Sequence, residues 1–471
     1  MNRKSINFLK NISFTFMANG LSMLVSMLVI LIVPKLIGVE EYGYWQLYLF
    51  YLAYIGFLHF GWSDGIYLRY GGEEYNNLDK RLFQSQLYML MIIQVIIAII
   101  LILIAWNFIE DDNKVFIMWM ISLSTIITNV RSVPLFVLQA TNRIKEHANV
   151  MMIGQFFYFS FIVLFLLIGF DSFKVLILAE LIGRTISLFY AVICCKDIVF
   201  RPISDFYFSF REAIENVNVG IKLMFAYIAS LLVIGIVRFG IERSWDITTF
   251  GKVSLTLNIS NLFIVFINAL GIVLFPILRK AKKESLSNIY ILMRDILMMI
   301  LLGLLVAYYP IKLILLAWIP EYAIGIMYMA MLFPMILFEG KMSLLINTYL
   351  KTMRKEKEML KVNIITLLIS IIITVITTVL FNNLELTVVS IVIILAFRSV
   401  LAELYLSKIL KISISKDILL ELMMATVFIF LSWFMDSWFV FWIYLMIYVA
   451  YLLMKKNIII NSLKNLKEIA K

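Results

Sequence analysis

Four cations lie inside long apolar stretches of this 471-residue chain: Arg131, Arg184, Lys341 and Arg398. An ionisable side chain in hydrocarbon costs about 2.5 to 3.5 kcal/mol on insertion scales, so such residues face a bundle interior or a wet cavity. The chemistry they offer is anion binding. A guanidinium presents a planar fork of donors that matches two phosphate oxygens, and an ammonium acts as a point charge. The competing use is to neutralise carboxylates within a helix bundle. Glu180 precedes Arg184 by four residues, which is intrahelical pairing distance; Glu403 follows Arg398 by five, and Glu339 is near Lys341 but elsewhere on the helix surface. Both uses stay open here. Arg131 and Lys341 sit close enough to the ends of their stretches to snorkel. Arg294 and Asp295, at the start of another stretch, read as an interfacial pair.

A second group offers gating or coupling chemistry. Asp64 follows Trp62-Ser63 and precedes Gly65, with His59 before it and Arg69 after it. A carboxylate there can cap a helix end, gate, or couple an ion, and His59 is a proton-sensitive group. Glu180 joins this group as the carboxylate nearest a deep arginine. Tyr44, Trp45, Tyr48, Tyr51 and Tyr54 suit interfacial belts or packing, and their rings could also stack on sugars.

Other chemistries are excluded. His59 and His147 are far apart, and neither a CxxC nor an HExxH motif occurs, so no metal or cofactor is expected. Cys194 and Cys195 are adjacent and cannot form an ordinary disulfide. Gly340-Lys341-Met342-Ser343 looks like the end of a phosphate loop, but position 335 is Met rather than Gly. Transport driven by ATP hydrolysis within this chain is therefore not expected.

The elements that hold these residues must be membrane helices. The chain is 63% hydrophobic and 15% charged, with a mean hydropathy of +0.97, which rules out a soluble or disordered protein. With about 20 apolar residues per crossing, fourteen spans emerge. They cover 12 to 33, 44 to 63, 83 to 105, 115 to 137, 150 to 169, 174 to 194, 217 to 238, 253 to 275, 288 to 309, 322 to 346, 362 to 381, 386 to 406, 418 to 435 and 438 to 454. Tight hairpins are expected at Asp171 to Lys174, Asn382 to Glu385 and Asp436 to Ser437. Of the 41 Lys and Arg, 29 fall on one side, 7 on the other and 5 inside spans, so both termini are expected in the cytoplasm. The first apolar run is a full span without a cleavage site and reads as a retained helix. The net charge of +11 is spread between spans, with clusters at Arg279, Lys280, Lys282 and Lys283, from Lys351 to Lys361 and in the C-terminal lysines. Anionic lipid headgroups account for it without nucleic acid.

An internal repeat organises the spans. Tyr42-Gly43 corresponds to Phe250-Gly251, Phe60-Gly61 and Leu68-Arg69 to Leu270-Gly271 and Leu278-Arg279, and Thr141-Asn142-Arg143 to Thr352-Met353-Arg354, at offsets of 208 to 211. Arg131 and Lys341 are 210 apart, and Arg184 and Arg398 are 214 apart. The expected fold is an all-α polytopic membrane protein. It has an N-lobe at 1–199, an amphipathic linker at 200–216, a C-lobe at 217–410 and a C-terminal helix pair with a basic tail at 411–471.

The residues Pro34-Lys35-Leu36-Ile37-Gly38-Val39-Glu40-Glu41-Tyr42-Gly43-Tyr44-Trp45, Gly61 to Gly72, and Gln139-Ala140-Thr141-Asn142-Arg143-Ile144-Lys145 carry a likeness to a known family. Phe250-Gly251, Pro320-Glu321-Tyr322 and Tyr349-Leu350-Lys351 continue it. The chain resembles the polysaccharide and O-antigen type flippases of the multidrug/oligosaccharidyl-lipid/polysaccharide exporter superfamily. The resemblance implies a bacterial inner-membrane transporter whose two lobes open alternately to each side. It also implies a polyprenyl-diphosphate-linked oligosaccharide as cargo, H+ or Na+ as coupling ion, and work alongside polysaccharide polymerase machinery. A cationic cavity is expected, for which Arg131, Arg184, Lys341 and Arg398 are the candidates. The extra helix pair is expected to accommodate the lipid tail.

Two alternatives stand beside this reading. A multidrug or cation antiporter of the same superfamily would prefer carboxylates facing its cavity. A membrane-embedded polymerase or glycosyltransferase would need a substantial extramembrane loop, and no outer link exceeds about 15 residues.

Overall fold

The computed structural model describes residues 3 to 280, 286 to 435 and 437 to 469, and among these every regular element is helical. A chain this apolar must satisfy its backbone within each segment, and the helix does so. The first elements are α1 (Arg3–Leu36), α2 (Val39–Leu52), α3 (Trp62–Arg69), α4 (Lys80–Phe108), α5 (Asp112–Ala140), α6 (Ile144–Ile168), α7 (Phe173–Cys194) and the one-turn α8 (Lys196–Val199). They are followed by α9 (Phe210–Ser244), α10 (Ile247–Lys280), α11 (Leu286–Val306), α12 (Tyr308–Trp318), α13 (Ala323–Leu332), α14 (Met335–Gly340) and α15 (Asn347–Thr352). The chain closes with α16 (Glu356–Val375), α17 (Leu384–Leu410), α18 (Ser415–Phe434) and α19 (Phe439–Ile469). Lys282 and Lys283 of the basic cluster, Asp436 of the last hairpin and Lys471 lie outside the described residues.

Among the described residues eleven helices are long and apolar enough to span a membrane, or up to twelve if the bent pair 320–352 counts as one. The protein is thus a multi-pass membrane protein, and among the described residues the count stops short of the fourteen expected. Two expected spans are not among these, and of the two only 44 to 63 is interrupted, since α10 is long enough to cross. Residues 44 to 63 are broken into α2, a 3-10 turn at Ile55–His59 and the start of α3, while 253 to 275 lie within the continuous α10. The bend in 320–352 has a covalent cause. Pro334 follows Phe333 and has no N–H to continue the ladder, so α13 stops and α14 starts at an angle of 51°.

The hairpins are built by local chemistry. Gly169, at φ +95, closes α6 in the left-handed region, and Ser172 Oγ accepts the Lys174 N–H to open α7. Asn383 caps α17 by accepting from Leu386.

The chain forms two compact units, Met1–Ile228 and Ala229–Lys471, and the division falls inside α9. In the first, α6 packs along α7 and α1, and α5 packs against α2, α3, α4 and α7. In the second, α10 packs on α13 and α14, α17 on α13, α14 and α16, and α11 on α19. The repeat is visible in the turns. Arg143 N–H bonds to Leu138 O, and Lys355 N–H to Leu350 O, both at 2.8 Å, with Asn142 and Arg354 both at φ +57. These residues are 212 apart, close to the spacing of the sequence matches.

Candidate functional site

In the first unit, α5 and α7 carry polar residues at the same helical spacing. Ser124, Thr128 and Arg131 lie four and three residues apart on α5, and Glu180, Arg184 and Ser187 do so on α7. That spacing aligns each trio on one helix face, and the packing of α5 on α7 lets the trios meet. Arg184 pairs with Glu180 through Nε and donates from Nη1 to Thr128 Oγ1 at 2.9 Å. Arg131 donates from Nη1 to Ser187 Oγ at 2.9 Å, and the Ser187 hydroxyl in turn donates a hydrogen bond to Val150 O at 2.7 Å. Tyr48 of α2 closes the upper end, donating to Glu180 Oε2 at 2.7 Å and meeting Ser124 Oγ at 2.9 Å.

The charge in this ladder is unbalanced. Arg184 has Glu180, but among the described residues no carboxylate lies within 4 Å of Arg131. Its Nε also lacks a hydrogen-bond partner. One of the two guanidiniums therefore lacks a counter-ion in a membrane-embedded core, an arrangement that favours an added anion.

The second unit is arranged differently. Lys341 Nζ donates to Glu403 Oε2 at 2.6 Å and to Glu421 Oε2 at 2.7 Å. Arg294 Nε donates to the other oxygen of Glu403 at 2.7 Å, and its Nη2 meets Glu421 Oε1 at 2.5 Å as an ion pair rather than an aligned hydrogen bond. All four side chains are at most 3% exposed. Tyr290 OH adds a bond to Glu403 at 3.1 Å. Two cations meet two carboxylates here and Arg294 Nη1 also lies 4.0 Å from Asp417 Oδ2, so the cluster holds no surplus positive charge for an anion. Arg398 pairs with Glu339, and its Nη1 reaches Ser230 Oγ at 3.4 Å. Arg294 is buried against Glu403 and Glu421 and does not pair with Asp295 at an interface. Glu421 of α18 joins this cluster, and Lys455 of α19 binds Asp417 and approaches Asp295 at 3.9 Å, so charge as well as packing attaches the last two helices.

His59, Asp64 and Arg69 fall at the end of the broken second span. His59 Nδ1 accepts the Gly61 N–H at 3.0 Å, which leaves the proton of the neutral ring on Nε2, 3.8 Å from Asp64 Oδ2. Arg69 is a clasp rather than a free cation. Its guanidinium donates to Glu212 Oε1 at 2.5 Å, Asn216 Oδ1 at 2.6 Å and Glu215 Oε2 at 2.8 Å, and thereby ties α3 to the start of α9. Tyr70 OH donates to Glu212 as well, at 2.7 Å. Burial, reinforced by that bond, pushes the Tyr70 phenol above its ordinary range, so it stays a donor. The helices touch backbone to backbone. A Cβ on Gly65 would lie 1.9 Å from Asn216 O, and one on Gly220 would lie 1.9 Å from Gly61 O.

The structure thus brings Arg131, Arg184 and Glu180 together in one unit, and separates Lys341 and Arg398 into distinct ion pairs in the other. Tyr44, Trp45 and Tyr48 are core residues, at most 7% exposed, so they do not present stacking faces. Ser124, Thr128, Ser187 and Glu421 were not singled out from sequence. The matching four-plus-three spacing on α5 and α7 was the signal for the first three. Among the described residues no group of three His, Cys, Asp or Glu side chains could hold a metal ion.

A family model described as polysaccharide biosynthesis protein matches residues 32–317, more than half of the chain. The chain belongs to this family. No curated protein sequence matches it. The polysaccharide biosynthesis chain is similar in structure to an inward-facing multidrug resistance MATE family transporter of the MOP superfamily. The TM-score is 0.63 at 13% identity, covering 83% of this chain and 98% of that one. It is equally similar to the lipid II flippase MurJ in an inward closed conformation, with a TM-score of 0.63 at 15% identity over 97% of this chain and 99% of that one. An outward-facing conformation of a multidrug resistance MATE family transporter aligns with a TM-score of 0.54 at 14% identity, over 84% and 95% of the two chains. This family member therefore shares its fold with these transporters.

Proposed function

We propose that the protein is a flippase for a polyprenyl-diphosphate-linked oligosaccharide, moving it from the cytoplasmic to the outer leaflet of the bacterial inner membrane for surface polysaccharide assembly. O-antigen, capsule and teichoic acid precursors share the required chemistry. The observation that carries this reading is the surplus cation: Arg184 pairs with Glu180, while Arg131 on the facing helix has the Ser187 hydroxyl and no carboxylate within 4 Å among the described residues. A diphosphate must lose water to cross, and an unpaired guanidinium offsets that loss with charge-assisted hydrogen bonds. The prenyl chain needs no such help and can remain in lipid. The family match and the fold support the same reading, and the two compact units are the natural lobes of an alternating-access cycle. A drug or cation antiporter is less well supported, because the uncompensated charge in the first unit is positive.

The test replaces Arg131 by Gln in the full chain and measures surface glycan, lipid-linked precursor retained in the inner leaflet, and the amount of protein in the membrane. Glycan should fall at least about tenfold while protein is retained, since removing a charge-assisted bond to a buried anion costs on the order of 1.5 to 3 kcal/mol. Arg131→Lys should keep part of the activity. Undiminished export by Arg131→Gln would overturn the proposal.

A further inference from the structure

α1 carries a polar stripe that the ion pairs do not explain. Thr15, Asn19, Ser22 and Ser26 recur at intervals of four, three and four residues, on one face of an otherwise apolar membrane helix. The first three line a cavity of about 130 Å3 in the first unit, together with Gln139 at the end of α5 and His147 in the first turn of α6. Among the described residues the side chains of Asn19, Ser22, Gln139 and His147 make no hydrogen bond or ion pair with the protein. Asn19 is exposed, Ser22, Gln139 and His147 are half-buried, and Gln139 and His147 lie just beyond the apolar runs of α5 and α6, so this open cleft is placed to receive water or a polar ligand at the membrane edge rather than lipid tails.

The lining specifies the ligand's chemistry. It holds no carboxylate, lysine or arginine, and its polar groups are interrupted by apolar surface from Ile144 and Met151. Neutral donors and acceptors around an apolar floor suit a pyranose ring, which has hydroxyl edges and hydrocarbon faces, better than they suit a phosphate. At roughly 30 Å3 per water the space equals about four waters, so this open cleft takes one face of a single sugar ring and not a chain.

The position relative to Arg131 fixes which ring. His147, Met151 and Gly154 lie on one face of α6, and a Cβ on Gly154 would lie 3.7 Å from Arg131 Nη1. At about 1.5 Å rise per residue the cavity runs along α6 from about 4.5 Å (Met151) to about 10 Å (His147) from the level of the cation. We infer that this cavity is a saccharide subsite, which takes the sugar attached to the diphosphate while Arg131 and Arg184 hold the phosphates. The inference rests on the flippase reading and adds to it a site of sugar selectivity.

The test uses the full chain in lipid nanodiscs and two kinds of probe: polyprenyl diphosphate alone, and polyprenyl diphosphate bearing a single hexose or N-acetylhexosamine. At least one sugar-bearing lipid should bind about tenfold more tightly than the bare one. Asn19→Ala and Gln139→Ala should each erase about three- to tenfold of that preference, the worth of one neutral hydrogen bond, and leave the bare lipid unaffected. Ser22→Leu, which fills the cavity instead of emptying it, should have the same selective effect. Equal binding of bare and sugar-bearing lipids by the unmodified protein, or an equal loss for both probes in the variants, overturns the subsite. Failure of Arg131→Gln to weaken either probe overturns the flippase reading instead, so the two failures are distinguishable.

Discussion

Lys341 Nζ lies 2.6 Å from Glu403, although Glu339 is two residues from Lys341 and Arg398 is five from Glu403. The partners are exchanged between helices: Arg398 takes Glu339, and Lys341 takes Glu403. Residues two or five apart do not share a helix face, so sequence neighbours diverge and charges from facing helices meet. The short π-helical stretch Lys341–Ile346 begins at this lysine, next to the packed faces of α10 and α17.

That exchange predicts strong coupling. Lys341→Met leaves Glu403 and Glu421 sharing Arg294 alone in a site at most 3% exposed. Breaking a buried pair from one side costs roughly 3 to 5 kcal/mol. The thermal unfolding midpoint of the purified protein in detergent should fall accordingly. Adding Glu421→Gln to Lys341→Met should recover much of the loss, because charge balance returns. Additive losses in the double variant would show that the two residues are not coupled.

The crossing of α3 and α9 predicts a steric threshold. Gly65→Ala puts a methyl 1.9 Å from the Asn216 carbonyl oxygen, a backbone atom that cannot rotate away. Overpacking of this kind costs about 1 to 3 kcal/mol and would loosen the Arg69 clasp. Gly56→Ala is the control, since nothing lies within 4 Å of the place its methyl would take, and it should stay within about 0.5 kcal/mol. Unfolding midpoints of the two variants decide the matter; equal midpoints would deny the close crossing.

The charge asymmetry predicts an orientation. In a chain whose Cys194 and Cys195 are replaced, Glu73→Cys should be protected from a membrane-impermeant thiol reagent added to intact cells. Asp112→Cys should react, both positions being exposed in the structure. The reverse pattern would invert the topology.

Much of this was legible in the sequence because hydrocarbon is an unforgiving solvent. Long apolar runs, basic loops and the repeat each follow from it, and the matching turns at Asn142 and Arg354 carry the repeat into backbone geometry. The broken helix at 44 to 63 was less legible, because its break at Phe60 and Gly61 depends on left-handed backbone that the apolar run masks. The pairing of cations was not legible for Lys341, Arg398 or Arg294, since which helices face each other is set by tertiary packing. The Arg184–Glu180 pair was legible because four residues make one turn.

The last prediction concerns the excess charge around Glu180. This carboxylate is 7% exposed and binds Arg184 and Tyr48. Glu180→Gln leaves Arg184 without its counter-ion and Arg131 nearby on the facing helix, so the ligand-free protein should lose roughly 3 to 5 kcal/mol. Tyr48→Phe removes the hydrogen bond to that carboxylate and the contact with Ser124 Oγ but no charge, and should cost about 1.5 to 3 kcal/mol. An anion that binds the folded state stabilises it by mass action, and most where the uncompensated positive charge is greatest. Polyprenyl diphosphate should therefore raise the unfolding midpoint of Glu180→Gln by more than it raises that of the unmodified protein, and raise Arg131→Gln least. If the three proteins respond equally, or if the lipid leaves all of them unchanged, the guanidinium ladder of α5 and α7 is not where the negative headgroup binds.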